Sequence, residues 1–90
     1  MELKGKHALV CGSTQGIGFE TAKLMAERGA RVTLVARNEE KLKNALDSLA
    51  KHENHDYLVA DFSKPDSLKS IITEYVNAGN KPHILVNNTG

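Results

Sequence analysis

Ala8-Leu9-Val10-Cys11-Gly12-Ser13-Thr14-Gln15-Gly16-Ile17-Gly18-Phe19-Glu20 decides how this chain is read. A short apolar run stops at Gly12. Glycines follow at 12, 16 and 18, with small polar residues after the first, and then a helical pattern free of proline. The order is strand, glycine turn, helix start. Such a turn presents bare backbone N–H groups to an anion, with the positive end of the helix dipole behind them. The spacing is G-x-x-x-G-x-G rather than the commoner G-x-G-x-x-G.

Outward from this junction the chain alternates. His7–Cys11 is a continuous apolar run that fits a strand buried on both faces. Ile17 to Arg28 is helical, with Ile17, Thr21, Leu24 and Met25 on one face, Ala22 and Ala26 beside it, and Gly29 as its stop. Arg31–Ala36 is a second strand rich in β-branched residues. Asn38 caps a second helix whose first turn carries Glu39 and Glu40. Its buried stripe is Leu42, Ala45, Leu46 and Leu49. A polar loop over 51–56 leads to a third strand, Tyr57–Ala60. Ser63 and Asp66 resemble a capping box, with Pro65 in the first turn of a third helix. Leu68, Ile71, Ile72, Tyr75 and Val76 form its stripe, and Gly79 ends it. His83–Val86 is the fourth strand.

The order βαβαβαβ predicts parallel strands with right-handed crossovers, a doubly wound α/β sheet of Rossmann type over residues 1–90. Ligands of such sheets bind at the carboxyl ends of the strands. Those ends deliver Gly12, Arg37, Asp61 and Asn88 to one edge.

Bulk properties narrow the classes. Ninety residues suffice for one small domain, burying only about 60–65% of the unfolded surface. Twelve basic and eleven acidic residues give a net charge of +1 with no basic block, so no nucleic-acid footprint is expected. Apolar runs of four or five residues fall far short of the ~20 that cross a bilayer, so no membrane partner is expected. The N-terminus lacks the apolar core of a signal peptide. A single cysteine excludes an internal disulfide, and the cytoplasm is the expected compartment.

Each glycine of the turn has a role in this reading. Gly12 permits the bend, Gly16 allows a pyrophosphate close to the backbone, and Gly18 lets the helix pack on the sheet without a Cβ. An ordinary glycine turn without ligand is the alternative. Dinucleotide folds carry an acid after the second strand to hold the ribose 2′-OH of NAD. Here Ala36 and Arg37 stand there. No carboxylate repels a 2′-phosphate, and a guanidinium can bind it, which favours NADP. The alternative is a solvated arginine, poorly placed against the helix dipole. Asp61 can accept from the adenine amino group with Phe62 flanking the ring, or can simply suit the start of the third helix. Asn87 and Asn88 can tie loops together or serve the neighbouring glycine turn.

Other residues have plainer readings. Cys11 is a core residue. His52 and His55 lie in a polar loop without cysteine partners, so no metal site is expected. His7 and His83 start strands and are expected at the surface. Tyr57 and Tyr75 are expected as core aromatics with wet tips.

The chain resembles the short-chain dehydrogenase/reductases along its whole length. Their Thr-Gly-x-x-x-Gly-x-Gly appears as Cys11-Gly12-Ser13-Thr14-Gln15-Gly16-Ile17-Gly18, and their Asn-Asn-Ala-Gly as Asn87-Asn88-Thr89-Gly90. Gly5-Lys6 through Leu9-Val10 looks like the β-ketoacyl carrier-protein reductase branch. The resemblance implies that Gly12, Ser13, Thr14, Gln15, Gly16, Ile17 and Gly18 bind the pyrophosphate and adenine ribose. It implies that Arg37 selects NADP and that Asp61 and Phe62 contact adenine. It also places Asn88 beside the adenine ribose, with Gly90 in the same cofactor-binding segment. Cys11 replaces a threonine, losing a hydroxyl that can link the glycine turn to Asn-Asn. Thr89 replaces an alanine and adds one. Gln15 stands where many NADP-preferring members carry a second base.

Family members reduce carbonyls with a tyrosine acid and a lysine four residues on. Here Tyr57 is followed at that distance by Asp61 and Tyr75 by Gly79, so these residues supply no catalytic group. The expectation is the N-terminal, cofactor-binding half of a longer NADP-dependent enzyme. That enzyme would pass hydride between nicotinamide and a small carbonyl or alcohol substrate, as a homo-oligomer, a tetramer by resemblance. Taken alone, the piece would leave its fourth strand as an unpaired apolar edge. A non-catalytic dinucleotide sensor and a structural α/β fragment are the competing readings.

Overall fold

The computed structural model describes residues 2–12, 15–50, 54–61 and 63–87. Strand β1 spans His7–Cys11, helix α1 Gly16–Glu27, β2 Arg31–Ala36, α2 Glu39–Asp47, β3 Asp56–Val59, α3 Pro65–Asn77 and β4 Ile84–Asn87. The strands lie in the order β3-β2-β1-β4, and every pairing is parallel. Alternate residues of β1 and β2 feed two cores, because successive side chains leave opposite faces of a strand. Ala8, Val10, Val32, Leu34 and Ala36 pack with Ala22 and Ala26 of α1 and Leu42 and Ala45 of α2. Leu9, Cys11 and Val35 pack with Tyr75 of α3, flanked by half-buried Leu68, Ile71 and Ile72. Helices on both faces of a parallel sheet make this the doubly wound Rossmann arrangement. Among the described residues, no helix is long and apolar enough to cross a membrane.

Both outer strands sit one residue away from their expected positions. β3 starts at Asp56 and β4 ends at Asn87. The flanking residues still make ladder-like bonds: Ala60 N–H donates to the Ala36 carbonyl and His83 N–H to that of His7, each at 2.8 Å.

Helix α1 departs more from expectation. Its sheet-facing residues are Gly18, Ala22 and Ala26, four apart, whereas Ile17 is 74% exposed and Leu24 51%. The small residues let the helix axis approach the sheet, and larger ones would hold it off. The expected stripe is thus turned toward solvent at two of its four members.

His7 is the second correction, being only 6% exposed. β1 is flanked on both sides, so even its first residue is covered. The His7 Nε2 lies 2.7 Å from Thr33 Oγ1 and 3.0 Å from the Tyr75 hydroxyl, and those two oxygens are 2.7 Å apart. Thr33 donates its one proton to Asp56 Oδ1, so Nε2 must donate to Thr33. Burial, then the nearby Arg31 guanidinium, holds the His7 imidazole below its ordinary pKa and so in its neutral form. The tip of Tyr75 is accordingly enclosed, not wet. The hydroxyl of Tyr57 does reach the exposed surface, donating to Glu39 at 2.9 Å. Cys11 is buried, and burial pushes its thiol pKa up, as suits a core residue.

The capping box is the third correction. The residue before a proline is driven out of the helical region, so Pro65 at the helix start makes Lys64 the N-cap. Ser63 instead donates its hydroxyl to Asp61 at 2.7 Å.

Thr33 is the hub of the buried cluster, bonded to His7, Tyr75 and Asp56. Thr33→Val leaves several partners short, whereas Tyr75→Phe leaves the His7–Thr33–Asp56 chain intact. Urea unfolding should show a loss of about 2 kcal/mol for Thr33→Val and about 1 kcal/mol for Tyr75→Phe. Equal losses would remove Thr33 from that position.

Candidate functional site

The carboxyl rim of the sheet gathers the ends of β3, β2 and β1 in that spatial order. Asp61, Arg37 and Gly12 follow those three strands. β1 hands over to α1 through a bend that only glycine adopts cheaply. Gly12 has φ +72° and Gly16 φ +64°. The Gly12 N–H donates to the Val35 carbonyl at 2.8 Å, which extends the β1–β2 ladder to the point of the bend. A Cβ built on Gly16 meets nothing within 4 Å, so the space beside this backbone is open.

Of the described helices, α1 alone has no acid in its first turn, and like α3 it lacks a side-chain capping bond from its N-cap residue. Its N-cap, Gln15, is extended at φ −158° and makes no capping bond with its side chain, and the first turn holds no acid. Helix α2 has the Asn38 side chain accepting from Lys41 N–H at 3.0 Å, with Glu39 and Glu40 in its first turn. Helix α3 has Asp66 in its first turn. Among the described residues, no side-chain cap and no first-turn acid compensates the positive dipole end of α1, which stands beside the open backbone of Gly16. That combination suits an anion.

Arg37 is exposed and makes no salt bridge among the described residues. Glu39, two residues on, is held by Tyr57. Asp61 is half-buried. Its Oδ1 accepts from both the N–H of Ser63 at 2.9 Å and the Ser63 hydroxyl at 2.7 Å. These two bonds, then the positive charges of Arg37 and Lys64, hold its carboxyl below the ordinary pKa. Asp61 is thus a fixed carboxylate acceptor near Arg37, and its Oδ2 is left without a partner among the described residues. Sequence reading gave Ser63 to a helix cap and missed its bonds to Asp61. The Asp-x-Ser order of an Asx turn was their signal.

Gly12, Gln15, Gly16, Ile17, Gly18, Arg37 and Asp61 are described. Ser13, Thr14, Phe62, Asn88 and Gly90 lie outside the described residues. Asn87 closes β4 opposite Cys11, which directs the chain toward the same rim. Among the described residues no three His, Cys, Asp or Glu side chains converge as metal ligands.

The sequence model of the short chain dehydrogenases matches residues 6–90. The chain belongs to this family. It is 40% identical over 88 residues to a glucose 1-dehydrogenase of Gluconobacter oxydans, covering 96% of this chain and 33% of that protein. It is 36% identical over 90 residues to the 3-oxoacyl-[acyl-carrier-protein] reductase FabG of Vibrio cholerae, covering 100% of this chain and 36% of the relative. Among solved structures, the Pseudomonas aeruginosa RhlG/NADP active-site complex superposes with a TM-score of 0.87 at 31% identity. That match covers 99% of this chain and 36% of the other. The chain thus spans about a third of the length of the relatives it matches.

In this short-chain dehydrogenase chain the Ser63→Ala change should raise the Asp61 carboxyl pKa toward its ordinary value, because the larger of its stabilising bonds is lost. Carboxyl 13C NMR titration reads this directly. An unchanged titration would mean that Ser63 does not set the state of Asp61.

Proposed function

We propose that these residues are the cofactor-binding, N-terminal part of a longer NADP-dependent oxidoreductase. The parent enzyme passes hydride between nicotinamide and a carbonyl or alcohol carbon of a small substrate. The observation that carries this reading is the pairing of two features on one rim. One is the open, left-handed glycine bend before the uncapped start of α1. The other is an exposed Arg37, without a salt bridge among the described residues, where a ribose-binding acid would otherwise stand. The NADP bound in the RhlG complex supports the same cofactor.

The residues present fit such a group. The backbone N–H groups from Gly16 to Gly18, with Ser13, Thr14 and Gln15, would hold the pyrophosphate. Arg37 would hold the 2′-phosphate, and Asp61 with Phe62 the adenine. Asn88 and Gly90 would flank the ribose. NADP supplies the hydride chemistry; the chain supplies position and charge. A charge-assisted bond of about 1.5–3 kcal/mol gives Arg37 roughly a ten- to a hundred-fold preference for the phosphorylated cofactor.

The edge of the sheet supports a longer parent. Among the described residues β4 pairs only with β1, and Leu85 on it is 67% exposed. An apolar, half-unpaired strand is an aggregation hazard until something covers it. Ile17 and Leu24 add exposed apolar surface on α1. By family likeness the parent is a cytoplasmic homotetramer. It draws its proton donor from a Tyr-x-x-x-Lys that these residues lack.

Two substitutions in the full-length protein test the reading. Arg37→Asp should weaken NADPH binding about ten- to a hundred-fold and improve NADH, measured by fluorescence titration of both cofactors. An unchanged ratio of affinities would take Arg37 out of the site. Gly16→Val should lower the affinity for both cofactors at least about tenfold, with a stability loss of about 1–2 kcal/mol from the left-handed backbone. Retained affinity would rule out the phosphate cradle.

A further inference from the structure

The opposite, amino rim of the sheet carries two histidines in the same structural position. His55 directly precedes β3 and His83 directly precedes β4. The register pairs Asp56 with Thr33 and Ile84 with Ala8, so His55 stands across from Val32 and His83 across from His7. Each imidazole turns back to the neighbouring strand. His55 Nδ1 accepts the Val32 N–H at 2.9 Å, and His83 Nδ1 accepts the His7 N–H at 3.0 Å. Both are long-range bonds in which a ring nitrogen does the work of a ladder carbonyl.

We infer that His55 and His83 are a matched pair of imidazole caps that fasten both edge strands at the amino rim and release them when protonated. An Nδ1 that accepts an amide N–H carries no proton, so the neutral ring holds its proton on Nε2. His55 agrees with this independently. Its Nε2 lies 2.9 Å from the Ala50 carbonyl, which can only accept. Protonation puts N–H on both ring nitrogens. Nδ1 then faces an amide donor with a second donor, and the part-buried Val32 and His7 amides each lose their acceptor. The caps therefore hold at high pH and open as pH falls.

Charged groups of both signs share this rim with the two rings. Lys4, Lys6, Arg31 and Lys81 line the same rim as the two rings, against Glu2 and Glu27. Asp56 is already bonded to Arg31, Thr33 and Tyr75. From β1, the neutral His7 imidazole lies beneath, and from α3 the Tyr75 hydroxyl is taken up by that cluster.

Amide hydrogen exchange on the full chain tests the inference. After correction for intrinsic rates, protection at Val32 and His7 should fall about tenfold relative to Leu34 and Leu9 between about pH 8 and pH 5. His55→Asn and His83→Asn keep an acceptor oxygen near the Nδ1 position but cannot titrate. Each should preserve protection of its partner amide at both pH values. Imidazole 15N shifts of the unsubstituted protein at pH 8 should show both rings protonated on Nε2, a readout that needs no variant to fold. Protection independent of pH, acid loss that persists in the asparagine variants, or an Nδ1–H ring would each overturn it.

Discussion

A parallel strand must hand its chain to a crossover helix before the next strand can begin, and here a left-handed glycine stands at each end of that handover. Gly12 and Gly16 both sit in the left-handed region, where a Cβ costs about 1–2 kcal/mol each. Between them the chain leaves β1 after the last ladder bond to β2 and enters α1 with its dipole end open. One geometric choice therefore fixes the first crossover and creates an anion-ready surface. Gly18, Ala22 and Ala26 then bring α1 close to the sheet, which keeps that surface at the rim.

Two ends of one sheet are used in different ways. At the carboxyl end, among the described residues, the Arg37 guanidinium makes no salt bridge, Asp61 Oδ2 has no hydrogen-bond partner and the first turn of α1 holds no acid. At the amino end, polar groups are consumed. His7, Thr33, Tyr75 and Asp56 satisfy one another, and the two flanking imidazoles take up strand amides. Among the described residues, the proposed cofactor rim keeps polar groups with spare capacity, while the amino end holds the buried His7–Thr33–Tyr75–Asp56 cluster. A Coulomb argument alone would not separate the two ends, since both carry arginine.

Much of this was legible in the sequence because it depends on local rules. The apolar runs, the Asn38 cap and the glycine stops are set by residues near one another in the chain. From them the βαβαβαβ order and the identity of the rim residues follow. What escaped depends on contacts distant in sequence. Nothing near Ile17 tells which face of α1 meets the sheet, because the choice is made by how closely helix and sheet approach. Nothing near His7 shows that Thr33 and Tyr75 will meet it. The third error had a local cause that was present but underweighted: Pro65 dictates the conformation of Lys64, and the cap moves with it. The family likeness was carried by the glycine and Asn-Asn motifs together, and the matched residues 6–90 include both.

The central claim is that the bend between β1 and α1 grips the phosphates of a dinucleotide. A crystal structure of the full-length protein grown with NADPH tests it most directly. The expected result places the pyrophosphate within hydrogen-bond reach of the backbone amides between Gly12 and Gly18, with the 2′-phosphate against Arg37. Cofactor density at the amino rim, or anywhere away from this bend, would contradict it.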